Sequence, residues 1–543
     1  MGTAVVTLAD LLFDSDRPGD EMLVHAAGID VSRGEVVNLA GDIARGLADL
    51  GVQHGQPVAV MLPNGAGVVA ALFGVWRAGG AYLPLNPRAT ERERARILDR
   101  LRPAAIVTTP DRAEEMGDRP HLVLDGMRVR PITGPVAGRA AGAPGAESLG
   151  GEPLGEPTPC DSAFVSTAEP AEQAKRELDE ASGRTYPLES IALIQFTSGT
   201  TGEPKAVQLT HRGVRELLDG VVATLGGDRT GRNDPPVPNL VPVSMSLWAG
   251  IYQVLFALRV GAAIVAMDGF ETVEFQHLVA RFGIRSTVLP PAAMTALADD
   301  ERIDGLTPLR YVRSITAPLS PLQARRFHDR FDIAVLNSYG QTEIGGEIVG
   351  WSGADWKAFG ASKLGAVGRP HRGVALRAVA PDGTPLPIGE TGELWVKTPA
   401  LAAGYADGRD FGDRLTPDGW FRTGDIGRHD SDGFVWIDGR VSDMINRGGL
   451  KVHPGEVQEV LLLDPAVADC AVVGVPDERL GEVPWAFVVA APSATIDPEA
   501  LAARCRIELA PYKVPVRFVA IDALPRNEVG KVLTLSLIER AQG

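Results

Sequence analysis

The sequence predicts an α/β protein: a large N-terminal domain of α/β sheets with a β-rich subdomain, followed by a small mobile α+β domain. Three observations carry this. Short apolar strands alternate with helix-period segments in the N-terminal part, the texture turns β-rich beyond about residue 368, and the last stretch after Arg440 returns to a mixed pattern.

The alternation starts early. Leu39, Ile43, Leu47 and Leu50 recur at helical spacing, and Gly51 follows as a stop. Pro57–Leu62 is an apolar strand closed by Pro63-Asn64-Gly65, Val68–Ala78 is helical, and Ala81–Leu85 is a second strand after Gly79-Gly80. Strand, helix, strand with short breakers requires crossover connections, and therefore parallel βαβ units. Glu91–Leu101 and Ala104–Val107 repeat the unit.

From Asp111 to Pro187 the pattern dissolves. The run GPVAGRAAGAPGAESLGGEPLGEPTP is rich in Gly, Ala, Pro and Glu, so 111–187 is expected to be a loop-like insertion. Regular alternation resumes at Ile191. Asn239–Ala263 is apolar nearly all round, which suits a buried helix or a pocket wall. Gln276–Phe282 with Ser286–Leu289, and Leu322–Phe331 with Ala334–Leu336, add further α/β units. Turn signals at Pro381-Asp382-Gly383, Gly389–Gly392 and Asp430–Gly433 punctuate the β-rich part. The expected division is 1–441, a large domain, and 442–543, a small one.

Composition narrows the function classes. The 543 residues carry a formal net charge of −16, with 45% hydrophobic and 22% charged residues. An acidic chain is a poor partner for nucleic acid or an anionic membrane surface, which need clustered Lys and Arg. The three cysteines, Cys160, Cys470 and Cys505, form no CxxC pair, which disfavours a disulfide scaffold or a zinc ribbon and suits a reducing, cytoplasmic setting. No basic segment precedes the first apolar residues, and no run is long enough to span a membrane.

The chemistry concentrates at Gln195–Leu209, QFTSGTTGEPKAVQL. A strand ending at Phe196 passes into Thr197, Ser198, Gly199, Thr200, Thr201 and Gly202, each with a hydroxyl or no side chain. Such a run brings backbone N–H groups and hydroxyl donors close to a ligand, and Lys205 adds positive charge, a combination suited to phosphate oxygens. It is not the P-loop of the common NTPases, because Glu203-Pro204 separates Gly202 from Lys205 and Pro204 opposes an immediate helix.

Further segments follow in order: SYGQTE (Ser338–Glu343), WFRTGD (Trp420–Asp425), GRVSDMINRGGLKVHPGEVQ (Gly439–Gln458), YKVP (Tyr512–Pro515) and PRNEVGK (Pro525–Lys531), with AYLPLNP (Ala81–Pro87) upstream. Together they resemble the adenylate-forming superfamily of acyl-CoA synthetases, adenylation domains and luciferases over nearly the whole chain. The resemblance implies an ATP- and Mg2+-dependent acid–thiol ligase that makes an acyl-AMP, releases pyrophosphate and passes the acyl group to coenzyme A or a separate carrier protein. It implies that Thr197–Gly202, Lys205 and Thr342 hold phosphates, and that Glu343 is the metal ligand. Tyr339 and Gly340 would lie at adenine, Asp425 at the ribose and Arg440 on its phosphate side. Lys531 would bridge the attacking carboxylate and the α-phosphate, the small domain would turn about Ser442, and Gly449 and Lys451 would line a thiol tunnel.

The sequence departs from the family at several places. Ser442 stands where Asp or Lys is usual. No histidine occurs in Pro242–Trp248, where Ser244, Met245 and Trp248 would line the acid pocket with Ile315 and Thr316, and Ser314 and Ile315 stand where a pocket-wall glycine is usual. Larger side chains remove volume, so the expected acid is small or aromatic rather than a long fatty acid. Other acceptors stay open: a carrier protein, an amine, or nitrite activation for diazotising an aryl amine.

Overall fold

A computed structural model describes residues 7–13, 17–132, 186–197, 205–226, 236–315, 317–319, 321–491, 493–526 and 531–542. Its centre is an eight-stranded sheet in the spatial order 404–405, 205–210, 191–197, 81–84, 57–61, 105–108, 121–125, 128–132. The strands Pro57–Met61, Ala81–Pro84 and Ala105–Thr108 pair in parallel, as crossover connections require. Ala81–Pro84 and Ala105–Thr108 are buried throughout, which is why they read as unbroken apolar runs rather than alternating ones.

The helices start where capping chemistry permits. Ser32 and Glu35 form a reciprocal capping box at the head of Arg33–Asp49, and Thr90 and Glu93 do the same for Glu91–Leu101. Arg33–Asp49 packs against Ala66–Arg77 at Gly74, where a Cβ would meet the Ala40 carbonyl oxygen at 2.7 Å.

The expected loop 111–187 is corrected in its first part. His121–Asp125 and Arg128–Ile132 form an antiparallel hairpin that extends the central sheet beyond Ala105–Thr108. The turn is Gly126-Met127, with Gly126 at φ 60, and His121–Leu124 are buried. The remainder of that stretch lies largely outside the described residues.

A second sheet, ordered 286–289, 311–314, 334–341, 346–350, 369–370, carries the SYGQTE segment. Ala334–Gln341 runs parallel to Tyr311–Ser314 on one side and antiparallel to Gly346–Gly350 on the other. A four-stranded antiparallel sheet, 375–379, 392–397, 421–429, 435–440, carries WFRTGD and Arg440. Beyond the short turn Val441–Asp443 the chain enters another sheet, built on Val467–Asp477 and Gly481–Ala490. This C-terminal unit has apolar clusters of its own, one around Val457, Leu461, Val488 and Leu501 and another around Val473, Phe487 and Leu537.

Candidate active site

The ends of the strands Ala334–Gln341 and Val435–Arg440, from two sheets, converge on Asp425 in the middle of Phe421–His429. Its Oδ1 pairs with Arg440 Nε at 2.8 Å, and its Oδ2 accepts from the Tyr339 hydroxyl at 2.7 Å and from the Gln341 amide. The Arg440 contact follows from register, because Asp425 and Arg440 face each other across Phe421–His429 and Val435–Arg440. Gln341 also donates to the Thr423 carbonyl oxygen at 2.9 Å, tying the SYGQTE strand to the WFRTGD strand. Tyr339 is buried, and burial together with the Asp425 carboxylate raises its phenol well above the ordinary tyrosine value.

Gly340 is fixed by a close approach. Where its strand shifts register against Gly346–Gly350, a Cβ on Gly340 would lie 1.7 Å from the Gly346 carbonyl oxygen. Thr342–Ile344 is a single 3-10 turn that presents Glu343, and Glu343 Oε1 meets Arg414 Nη1 at 3.2 Å. Arg414 Nη1 also donates to the Tyr405 hydroxyl at 3.2 Å, and its Nη2 donates to Gln341 Oε1 at 3.3 Å. Lys205 opens the strand Lys205–Thr210, opposite Thr197 in register, and its ammonium lies 5.6 Å from the Tyr405 ring centroid. Ser198, Gly199, Thr200, Thr201 and Gly202 lie outside the described residues. The Thr197 hydroxyl donates to the Lys205 carbonyl oxygen at 3.5 Å.

Lys531 comes from the C-terminal unit. A bridge between Arg526 and Val532 turns the chain back, and the Leu533 N–H donates to the Pro525 carbonyl oxygen at 2.8 Å. Burial and the neighbouring Arg440 lower the Lys531 ammonium below its ordinary range, against the opposing pull of Asp443 and Asp425. Burial also works against the charge of Arg440, but Asp425 and Asp443 outweigh it. Lys531 therefore lies within the electrostatic reach of Arg440, Asp443 and Asp425. Ser442 sits in the turn Val441–Asp443, and its hydroxyl donates to Asp443 Oδ1 at 2.8 Å. Gly449 has φ 90, and Lys451 lies exposed in the hairpin Ile445–Arg447/Leu450–Val452.

The residues expected at the acid pocket are held by separate contacts. The Trp248 indole N–H donates to the Gly345 carbonyl oxygen at 2.9 Å, and a Cβ on Gly346 would meet that nitrogen at 2.6 Å. The Met245 N–H donates to Asn64 Oδ1 at 2.8 Å, and the Ser244 and Ser246 hydroxyls are 2.7 Å apart. Ser314 is fully buried, and its carbonyl oxygen accepts from the Ser338 hydroxyl at 2.9 Å. Ile315 follows it, and Thr316 lies outside the described residues.

A profile of the AMP-binding enzymes matches residues 14–406, and one of the AMP-binding enzyme C-terminal domain matches 456–531. The chain belongs to the AMP-binding enzymes. A sulfoacetate–CoA ligase of Cupriavidus necator is 31% identical over 97% of this chain and 95% of its own. A 4-coumarate–CoA ligase of Oryza sativa subsp. japonica is 30% identical over 98% of this chain and 94% of its own. The crystal structure of ATP-bound MatB from Rhodopseudomonas palustris superposes with a TM-score of 0.82 at 26% identity, covering 99% of both chains.

In this AMP-binding enzyme the donor set fits a nucleotide-bound divalent cation. Glu343 offers one carboxylate, and no cluster of three or more His, Cys, Asp or Glu able to hold a metal occurs among the described residues. Mg2+ takes one or two protein carboxylates and completes its shell with phosphate and water. Gln341, Arg414, Arg313, Glu347 and His371 were not read as site residues from the sequence. Arg313 and Glu347 did leave a signal, a charged residue inside the short strands YVRS and GEIVG.

Proposed function

We propose that this AMP-binding enzyme is an ATP-dependent acid–thiol ligase for a small or aromatic carboxylic acid, with coenzyme A or the thiol of a carrier protein as acceptor. The observation that carries it is the convergence of Arg440, Tyr339 and Gln341 on the buried Asp425, with Lys531 of the C-terminal unit within its electrostatic reach. A cation delivered by a separable body to the edge of a nucleotide site suits a reaction that must first join two anions and then admit a second substrate. The similarity to two CoA ligases over nearly the whole chain supports the thiol acceptor.

In the first half-reaction an oxygen of the acid attacks the α-phosphorus of ATP. The bond to the bridging oxygen breaks, pyrophosphate leaves with that electron pair, and an acyl-AMP remains. Lys531 lies between the two anions, and Lys205 with Thr197, Ser198, Gly199, Thr200, Thr201 and Gly202 holds the departing phosphates. Thr342 contributes a hydroxyl, and Tyr339 and Gly340 form the adenine wall. Asp425 accepts from the ribose hydroxyls, and Arg440 orients Asp425. Glu343 would hold Mg2+, which supplies charge neutralisation on the phosphates when bound. In the second half-reaction a thiolate attacks the acyl carbon and AMP leaves. The small unit turns at Ser442 so that Gly449 and Lys451 face the site in place of Lys531.

The test is pyrophosphate release across a panel of carboxylic acids with nitrite included, followed by thiol consumption with coenzyme A. Release with an acid and matched loss of free thiol is the expected result. Release without loss of the coenzyme A thiol would move the acceptor to a carrier protein or an amine, and no release with any co-substrate would overturn adenylation.

A further inference from the structure

Behind the pocket wall lies a buried polar set that the proposed nucleotide chemistry does not use. Arg313, one residue before Ser314, donates through Nη1 to Glu347 Oε1 and through Nη2 to the Trp351 carbonyl oxygen at 3.0 Å. His371 Nε2 meets the same Glu347 oxygen at 3.1 Å, and His371 Nδ1 lies 2.9 Å from the Thr224 hydroxyl. Glu347 follows Gly346, the residue against which Trp248 packs. Tyr252, edge-on to Trp248 with ring centroids 6.1 Å apart, is buried within the field of both Glu347 and Arg313. Burial opposes the charge on Glu347, but Arg313 and His371 outweigh it and keep the carboxylate ionised. The set thus joins the two walls that carry Trp248 and Ile315.

Two features give this set a function. The first is closure. A Cβ on Gly350 would meet Glu347 Oε1 at 2.5 Å, Arg313 Nη1 at 2.6 Å and His371 Cε1 at 3.0 Å, so the set packs hard against backbone. The cavity beside the set, lined by Glu347, His371, Leu217 and Gly220, has room for about one water molecule and is too small for an acyl chain. The second is an open acceptor. The Glu347 side chain is 6% exposed, Arg313 and His371 both converge on Oε1, and Oε2 has no hydrogen-bond partner among the described residues. A buried acceptor left open carries a desolvation cost that a ligand donor removes. Arg313 already balances the Glu347 charge, so a neutral donor fits better than a cation, and a second carboxylate would be repelled by Oε2.

We propose that Arg313, Glu347 and His371 form the floor of the acid pocket. There Glu347 accepts a hydrogen bond from a hydroxyl or amino group at the end of the acid remote from its carboxylate. The substrate class is a short hydroxy or amino acid of this kind, such as a para-substituted benzoate. This rests on the acid-activating reading above for the identity of the pocket.

The test exchanges the acceptor for a donor. In Glu347→Gln the amide oxygen takes the place of Oε1, where Arg313 and His371 both converge, and the amide NH2 takes the place of Oε2. Binding of para-hydroxybenzoate, para-aminobenzoate, benzoate, para-formylbenzoate and decanoate is measured by titration calorimetry with a non-hydrolysable ATP analogue present, alongside pyrophosphate release. The native protein is expected to bind the hydroxy or amino acid at least about tenfold tighter than benzoate and to reject decanoate. Glu347→Gln is expected to lose that preference and to favour the formyl acid over benzoate. The double variant Arg313→Met/Glu347→Leu, which leaves no buried charge unpaired, is expected to lose the preference and admit decanoate. Equal native affinity for substituted and plain acids, a preference that survives in Glu347→Gln, or tight native binding of decanoate would overturn the proposal. Because binding is read separately from turnover, selective binding without pyrophosphate release would count against the ligase reading alone.

Discussion

Asp425 holds Arg440, Tyr339 and Gln341 on two carboxylate oxygens, and Lys531 docks into the same field. Positive charge thereby collects at the edge of the nucleotide site, compensated by one buried acid until substrate anions arrive. Lys531→Ala is expected to slow pyrophosphate release by about 10²–10³, the loss typical of one preorganised charge in a water-poor site. A loss below tenfold in single-turnover assays would remove Lys531 from this step. Its protonation adds a second expectation. Burial and Arg440 favour the neutral amine, so kcat/KM for ATP should fall on the alkaline side at a pH below the ordinary lysine value. Lys531→Arg, which does not titrate there, should lack that limb; the same limb in both proteins would assign it to another group.

The elements that deliver these residues were legible to different degrees. Parallel strands such as Ala81–Pro84 read correctly because both faces are buried, and the helices announced themselves by period and by cap residues such as Ser32 and Thr90. The hairpin 121–132 was missed because its flanking Gly- and Pro-rich sequence dominates that region and its strands are only five residues each. Asp425 and Glu343 were visible through their motifs, whereas Arg414 and His371 were not, because their partners lie 71 and 24 residues away. Pairing across such separations is decided by strand register, not local pattern. The SYGQTE strand illustrates this, since its glycine is required by the approach of Gly346. Gly340→Ala would force a Cβ to 1.7 Å from the Gly346 carbonyl oxygen. The strands Ala334–Gln341 and Gly346–Gly350 would have to separate, misplacing Tyr339 and Glu343 together. The expected outcome is a loss of about 3 kcal/mol or more in urea unfolding, together with loss of ATP binding. A variant of native stability that binds ATP normally would refute this account of the strand pair.

At the scale of the molecule, two bodies with separate cores meet at one site, and each contributes its own pH and conformational dependence. In the large body, His211 opens the helix His211–Thr224, and its Nδ1 accepts from the Leu8 N–H at 3.3 Å. Burial lowers its pKa to about 4 from the ordinary histidine value of 6.5. The unfolded chain therefore binds a proton that the folded chain excludes, so stability is fully present above about pH 6.5 and falls by about 3 kcal/mol as pH drops to about 4. Urea midpoints at pH 7 and pH 5 should show this slope, and His211→Asn should flatten it; an unchanged slope would place the titration elsewhere. In the small body, Lys531 lies in the field of Asp425 and Arg440, while a Cβ on Gly449 would meet no atom within 4 Å among the described residues beyond its chain neighbours. If the small body turns to bring Gly449 to the acyl-AMP, a side chain there meets no obstacle in this orientation and blocks the thiol in the other. Gly449 has φ 90, so any replacement also carries about 1 kcal/mol of local strain, too little to unfold the domain. Gly449→Leu is therefore expected to leave the pyrophosphate burst within about threefold of native while slowing thioester formation by about fiftyfold or more, a change of about 2.3 kcal/mol in the second barrier alone. Rapid-quench measurement of both half-reactions decides it: equal slowing of the two steps, or of neither, would mean that the unit does not exchange Lys531 for Gly449 during turnover.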